Sequence, residues 1–134
     1  MKKWILMVMA ALLLFLVPAV ASAAEKSSDT MILDFSADKI WIDKGDLCMR
    51  AKFTNKRSDL TIRKLDDLTV HINLYTHDGK VVQYAAKPKK RPMLKLNAGA
   101  SKTVLMNLGP YSGEDWKDWT ADAEYVFTYV YGSF

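Results

Sequence analysis

The sequence predicts an all-β protein: an antiparallel β-sandwich of about seven to eight strands with one short helix near residues 112–120. Two observations predict this fold class. Apolar residues recur at every second position through most of the chain, and glycine-containing turns separate the alternating segments. Short alternating segments at this spacing are typical of sandwiches, in which each strand lays one face on the core.

The first 23 residues have the form of a secretory signal peptide. Two lysines precede an apolar run over residues 4–17, and an Ala-Ser-Ala triplet ends at Ala23. We expect cleavage after Ala23, a flexible lead-in over residues 24–30, and a secreted or extracytoplasmic domain over residues 31–134 with no stable membrane span. The alternative is an uncleaved anchor, because the apolar segment is nearly long enough to cross a bilayer core.

Size and charge narrow the function classes. Of the 19 basic residues, two lie in the signal segment, and the remaining 17 face 15 acidic residues. This balance does not favour nucleic acid as a partner, and neither does export. A domain of this size buries roughly 65% of the surface that its unfolded chain exposes, so it forms a core without disulfides.

Period-two alternation defines the strands. Leu47, Met49, Ala51 and Phe53 alternate with more polar neighbours, which predicts a strand with one face on the core. In chain order, the predicted strands are residues 31–35, 40–42, 47–54, 68–75, 81–86, 93–96, 103–108 and 123–131. The last segment is apolar or aromatic on both faces, which predicts a central or well-covered strand.

Turn and capping residues supply the remaining elements. Short polar segments that contain Gly45, Gly79 and Gly99 predict tight turns, because glycine accepts positive φ at low cost. One helical signal follows the strand at residues 103–108. Ser112 resembles an N-cap with an acid three residues later, and two tryptophans follow at helical spacing.

Three sequence patterns between residues 46 and 108 resemble the Ig-like extracellular modules of bacteria, in particular the FxLYD-type and S-layer-associated modules. The patterns are a strand ending in Asn, a strand ending in Leu-Tyr before an Asp-Gly turn, and a Leu-x-x-Gly-x-Ser approach to a later strand. The matching residues are Asn55, Leu74, Tyr75, Asp78, Gly79, Leu96, Gly99 and Ser101. Ile72 and Thr76 depart from the FxLYD pattern, which has Phe and Asp there. The resemblance implies an Ig-like sandwich that serves as a non-catalytic spacer, adhesive or accessory domain of the cell envelope.

Catalytic and cofactor motifs are absent from the sequence. His71 and His77 have neither the spacing nor the companion ligands of a zinc site. There is no Gly-x-Ser-x-Gly motif and no phosphate-binding glycine loop. The adjacent acidic residues at 66–67 and 114–115 point to opposite faces of an extended chain, so they do not form a carboxylate pair. We expect no enzyme activity, no cofactor and no metal.

The densest positive charge of the mature chain is a basic strip made of Lys87, Lys89, Lys90 and Arg91. One interpretation is an anion-binding strip for teichoic acid, sulfated glycan or lipid head groups. The favoured alternative is protection of a strand edge, because lysine and the two interspersed prolines prevent pairing with other sheets.

Aromatic residues near the predicted helix suggest a second candidate site. Tyr111, Trp116 and Trp119 have flat faces that stack on sugar rings, and Asp115 accepts hydrogen bonds from hydroxyl groups. The favoured alternative is structural, with the tryptophans plugging the open end of the sandwich.

Cys48 is the third candidate site. Alternation places it on the face opposite the core, beside Arg50, so it is a candidate for an intermolecular disulfide or for a reactive thiol. The favoured alternative is a small, partly covered strand residue.

These observations favour an exported, non-enzymatic accessory or interaction module of the cell envelope. Its expected partner is a cell-wall or envelope polymer, or another envelope protein, and not a nucleic acid. Two alternatives remain open: a carbohydrate-binding module that uses Trp116 and Trp119, and a homodimer linked through Cys48. The sequence does not determine the ligand or the oligomeric state.

Overall fold

Residues 23–132, which the computed structural model describes, form seven strands in two antiparallel sheets. In chain order the strands are β1 Glu25–Ser27, β2 Leu33–Asp43, β3 Asp46–Asn55, β4 Leu60–Thr76, β5 Val81–Ala86, β6 Ser101–Pro110 and β7 Trp116–Tyr131. One sheet has the strand order β1-β7-β4-β5, and the other has the order β2-β3-β6. The predicted all-β class and strand number are confirmed. The predicted signal peptide lies outside the described residues, apart from Ala23.

The core lies between the two sheets and is built from alternate residues of the long strands. On β3, Leu47, Met49 and Phe53 are fully buried, as the alternation predicted. In the other sheet, β4 and β7 pair along most of their length, and Leu65 lies opposite the fully buried Phe127. Full burial of one such side chain contributes roughly 1.5–3 kcal/mol, so these faces supply the main stabilising term.

The prediction that the last strand is central is confirmed. β7 lies between β1 and β4, and its Thr128 and Val130 are buried as well as its core-facing residues. β1 comes from the segment that we expected to be a loose lead-in, and it pairs with residues 127–129 of β7. This pairing supplies hydrogen-bond partners to the backbone on that edge of β7, which would otherwise lack them.

Bulges explain where the alternation in the sequence fails. In β2 the register shifts at Asp38, so that Phe35 lies opposite Phe53 and Ile40 lies opposite Met49. Because of this extra residue, Ile40 points to the core as Phe35 does, although the two are five residues apart. The first two predicted strands are therefore one continuous strand.

β4 contains two further bulges, at Arg63 and Asp66. They keep Ile62, Leu65 and Leu68 on the core side, opposite alternate residues of β7. In the sequence these three residues are spaced by three, which conceals the strand from a search for period two. For this reason β4 begins eight residues earlier than the predicted strand.

The predicted helix near residues 112–120 is wrong, because the chain continues as a loop and β7 begins at Trp116. The Asp115 carboxylate accepts the Trp116 N–H at 2.9 Å instead of capping a helix. Tyr111 packs closely over Gly113, where an added Cβ would lie 2.6 Å from the tyrosine oxygen. The pairing of β7 with β4 along most of their length stabilises the strand by more than the weak local preference of these residues for a helix.

In one sheet β3 pairs with both β2 and β6, and in the other β7 pairs with both β1 and β4. The finer resemblance to Ig-like modules stays a prediction. The predicted strand at residues 93–96 is wrong, since it is reduced to one isolated bridge between Leu96 and Ile62.

The predicted turn at Gly45 is confirmed. Lys44 and Gly45 have φ angles of 51° and 83°, and they join β2 to β3 as a two-residue turn. Positive φ at both residues is typical of the type I′ turn, whose twist matches that of the paired strands. Among residues 23–132, no helix is long and apolar enough to cross a membrane.

Candidate anion-binding groove

Two of the four cations of the basic strip form ion pairs with carboxylates of the same chain. Lys87 Nζ lies 2.7 Å from Asp67 Oδ1, and Lys89 Nζ lies 2.9 Å from Asp46 Oδ2. The Arg91 guanidinium donates a hydrogen bond to a backbone carbonyl of β4. Three of the four cationic side chains of the strip are therefore directed at oxygen atoms of the same chain.

The strip connects the two sheets. Asp67 belongs to β4 and Asp46 to β3, while the backbone N–H of Lys89 donates to Asn107 O of β6 at 2.8 Å. The hydrogen bond from the strip lysine lowers the pKa of Asp67. The Asn107 amide, followed by Lys89, lowers the pKa of Asp46. All four cationic residues of the strip are exposed.

The aromatic residues pack on the protein and on one another. The rings of Tyr111 and Trp116 meet edge to face with centroids 5.8 Å apart. Trp116 and Trp119 are both partly buried against the core. They share a face because β7 has a bulge at Lys117, and their partners in β4 both point inward. The exposed Asp115 accepts the Trp116 N–H through Oδ1 at 2.9 Å.

Cys48 lies on the outer face of its sheet, as predicted, yet it is only 7% exposed. Its neighbours in the adjoining strands are Trp41 and Asn107. Burial raises the pKa of the thiol, and the carboxylates of Asp43 and Asp46 raise it further. This environment disfavours the thiolate, which is the reactive form of cysteine.

A groove of about 560 Å³ lies between the first half of β4 and the loop that follows the basic strip. We call it the basic groove. Its cationic lining residues are Arg63, Lys64, Arg91, Lys95 and Lys102. None of its lining residues is acidic. Of these residues only Arg91 belongs to the predicted strip, so most of the positive charge of the groove comes from other parts of the chain.

The bulge at Arg63 shapes one wall of the basic groove. Arg63 and Lys64 are adjacent in a strand and are both exposed, because the extra residue interrupts the alternation of faces. β5 pairs with β4 only at residues 70–75, so it does not cover this part of the edge. Bulges and exposed lysines also protect strand edges, which gives this wall a structural purpose as well.

The opposite wall is the segment from residue 91 to 95. Leu94 is buried in the core, and the Met93 carbonyl accepts a hydrogen bond from Lys102 Nζ at 2.7 Å. These two contacts hold the backbone of the segment, and the Met93 side chain stands in solvent with 81% of its surface exposed. The wall is therefore fixed in place, with an apolar side chain among cations.

A second depression, of about 530 Å³, adjoins the basic groove because Arg63 and Lys64 line both. It adds Lys26 of β1 to the cationic surface. Asp66 lies beside this surface, with its Oδ1 3.5 Å from Lys64 Nζ and 4.0 Å from Lys26 Nζ. The hydroxyl of Thr128 is the main cause that lowers the pKa of Asp66, and the lysines add to it.

The sequence alone does not reveal the basic groove and the adjoining depression, because their residues come from four separate parts of the chain. Lys26, the Arg63-Lys64 pair, Arg91 with Lys95, and Lys102 meet only when β1, β4 and β6 are assembled. One signal was present in the sequence. The break in alternation at Ile62-Arg-Lys-Leu65 marks a bulge with two consecutive cations, and bulges often redirect side chains at binding sites.

The arrangement provides positive charge, and within the described residues no group of three His, Cys, Asp or Glu side chains is placed to hold a metal ion. No family model matches this chain, and no curated protein matches it.

Two solved structures are similar to it in fold. One is a DUF1425 family member from Shewanella, with 14% identity and a TM-score of 0.37, covering 78% of this chain and 90% of that chain. The other is the trimeric lipoprotein SadB from Salmonella enterica, with 9% identity and a TM-score of 0.38, covering 98% of this chain and 78% of that chain. At such low identity and TM-score, neither similarity carries an argument about function.

Proposed function

We propose that this protein is an exported, non-catalytic module of the cell envelope that attaches to anionic envelope components through the basic groove. One observation carries the proposal: five cationic residues line the groove and no acidic residue does. A concave surface with one sign of charge concentrates ligands of the opposite charge. The signal-peptide pattern of the first 23 residues supports an envelope location.

The two alternative functions have less support. A sugar platform requires an exposed aromatic face, whereas Trp116 and Trp119 pack against the core. A thiol-linked dimer requires an accessible sulfur, whereas Cys48 is 7% exposed and its pKa is raised. The ionisable side chains in the groove are lysines and arginines, which suit binding of an anion better than general acid–base catalysis at neutral pH.

Two matched variants test the proposal. The groove variant carries Arg63→Gln, Lys64→Gln and Lys95→Gln. The strip variant carries Lys87→Gln, Lys89→Gln and Lys90→Gln. Both lose three positive charges, so a difference between them reports on the position of the charge and not on its amount.

The measurement is elution of each folded protein from immobilised polyphosphate by increasing salt. We expect the wild type and the strip variant to elute late and the groove variant to elute early, because salt screens exposed charges over about 10 Å at 0.1 M. Equal losses in the two variants, or unchanged retention of the groove variant, would contradict the assignment to the groove. Thermal unfolding of each variant serves as the control for folding.

A further inference from the structure

We propose that the anion bound by the basic groove is the phosphate of an anionic phospholipid head group, so that the protein lies on a membrane surface. This inference rests on the proposed function and adds the ligand class to it. The first supporting observation is Met93, which lines the groove and is 81% exposed. Contact with a hydrophilic polymer does not stabilise an exposed methionine, whereas transfer of its side chain from water into the interface of a bilayer is favourable.

The exposure of Met93 is imposed by the fold. Leu94, the next residue, is 2% exposed and anchors the segment in the core. Lys102 holds the Met93 carbonyl from the other side at 2.7 Å. With the backbone held on both sides, Met93 stays exposed and lines the groove together with its cations.

The spread of the cations also suits a membrane. The basic groove and the adjoining depression share Arg63 and Lys64, so their positive charge extends over two shallow concavities instead of one enclosed pocket. A plane of head groups offers phosphate at many points and fits such a surface. Lysine and arginine have long apolar stems that lie along the interface while their charged ends reach the phosphates.

Vesicle sedimentation tests the inference. Vesicles of phosphatidylglycerol mixed with phosphatidylcholine are compared with vesicles of phosphatidylcholine alone. We expect the wild type to bind the anionic vesicles and not the neutral ones. The groove variant should bind about a hundredfold more weakly, because each basic residue near an anionic surface contributes roughly fivefold. The strip variant should bind like the wild type.

The contribution of Met93 is tested separately. Met93→Gln should weaken binding to anionic vesicles by severalfold and leave retention on polyphosphate unchanged. Leu105→Gln is the matched control, because Leu105 is 71% exposed and lies opposite Arg50 on the outer face of the other sheet. An environment-sensitive dye attached to Met93→Cys should show a blue shift with anionic vesicles, with the labelled wild type as control for Cys48.

The outcomes separate the two proposals. Retention on polyphosphate without binding to anionic vesicles overturns the lipid inference, identifies a soluble phosphate polymer as the ligand class, and leaves the proposed function standing. A dye at residue 93 that does not shift although the vesicles bind also overturns it. Failure to bind both probes overturns the proposed function itself.

Discussion

At the scale of single residues, Asn55 illustrates how one buried amide joins separate parts of the chain. Asn55 is fully buried at the end of β3. Its Nδ2 donates to the carbonyl of Leu60 at 2.9 Å and to those of Leu96 and Asn97 at 3.2 Å each. Its Oδ1 accepts the N–H of Arg57 at 3.0 Å. The position that matched the resemblance therefore has a structural role.

Replacing Asn55 tests that role. We expect Asn55→Ala to lower the free energy of unfolding by about 2–4 kcal/mol, because it removes the hydrogen bonds that the buried amide makes to the carbonyls of Leu60, Leu96 and Asn97 and to the Arg57 N–H. Asn73→Ala is the control, since Asn73 lies on the outward side of β4 and its amide makes one long contact, of 3.4 Å, to Thr120. Urea unfolding measures both, and similar losses in the two variants would contradict the role assigned to Asn55.

At the scale of elements, β7 shows how a bulge reproduces a spacing that looks helical. Trp116 and Trp119 are three residues apart, which in a regular strand places them on opposite faces. The bulge at Lys117 returns both to the core side, opposite Thr76 and Leu74. The expectation that they share a face was therefore correct, although the helix that produced it was wrong.

The packing of β7 leads to a prediction that separates a structural role from a sugar platform. Trp116→Ala and Trp119→Ala should each lower the free energy of unfolding by about 2 kcal/mol or more, because each removes a large ring from the edge of the core. Phe53→Ala, at a fully buried site, should cost about 3–5 kcal/mol and serves as the upper reference. Unchanged stability together with loss of glycan binding would favour the sugar platform instead.

At the scale of the whole molecule, the two sheets bring the cationic residues together and place Asp66 beside them. Asp66→Asn should strengthen binding to polyphosphate, because it removes a carboxylate that lies 3.5 Å from Lys64 and 4.0 Å from Lys26. Asp78→Asn is the control. Asp78 lies at the distant turn between β4 and β5, and its carboxylate accepts a threonine hydroxyl as that of Asp66 does. The control therefore removes the same charge at a distant position.

The same variant has a signature in stability against pH. The pKa of Asp66 lies below its ordinary value of 3.8 in the folded protein. Ionised Asp66 therefore stabilises the folded protein at pH values above 3.8. This stabilisation is lost as the pH falls through the lower pKa that Asp66 has in the folded state. The stability difference between wild type and Asp66→Asn should shrink in acid, as measured by thermal unfolding from neutral pH downward. A difference that does not change with pH would contradict the role of ionised Asp66.

The parts of the fold that were predicted correctly are those governed by local pattern. Leu47, Met49 and Phe53 alternate in the sequence and point to the core, and the turn at Gly45 follows from the need for positive φ. β7 was expected to be central because both of its faces are apolar. In each case the information lies within a few neighbouring residues, where the geometry of the chain and the hydrophobic effect act directly.

The candidate site was not predicted, apart from Arg91. Its cations are separated by up to tens of residues, and their order along the chain does not show that they meet. The strip that does look basic in the sequence is held by Asp46 and Asp67 in the structure. A count of charges along the chain does not show these ion pairs, because their carboxylates come from distant parts of the sequence.

The sequence by itself determined the all-β class, the inward faces of the regular strands and the tight turns, since these depend on side-chain alternation and backbone sterics. Only the tertiary structure decided the strand order, the bulges at Asp38, Arg63, Asp66 and Lys117, and the strand in place of the predicted helix. The physical reason is that these features satisfy backbone hydrogen bonds and core packing between distant segments. The basic groove belongs to this second group, because it exists only where β4, β6 and the loop between residues 91 and 95 meet.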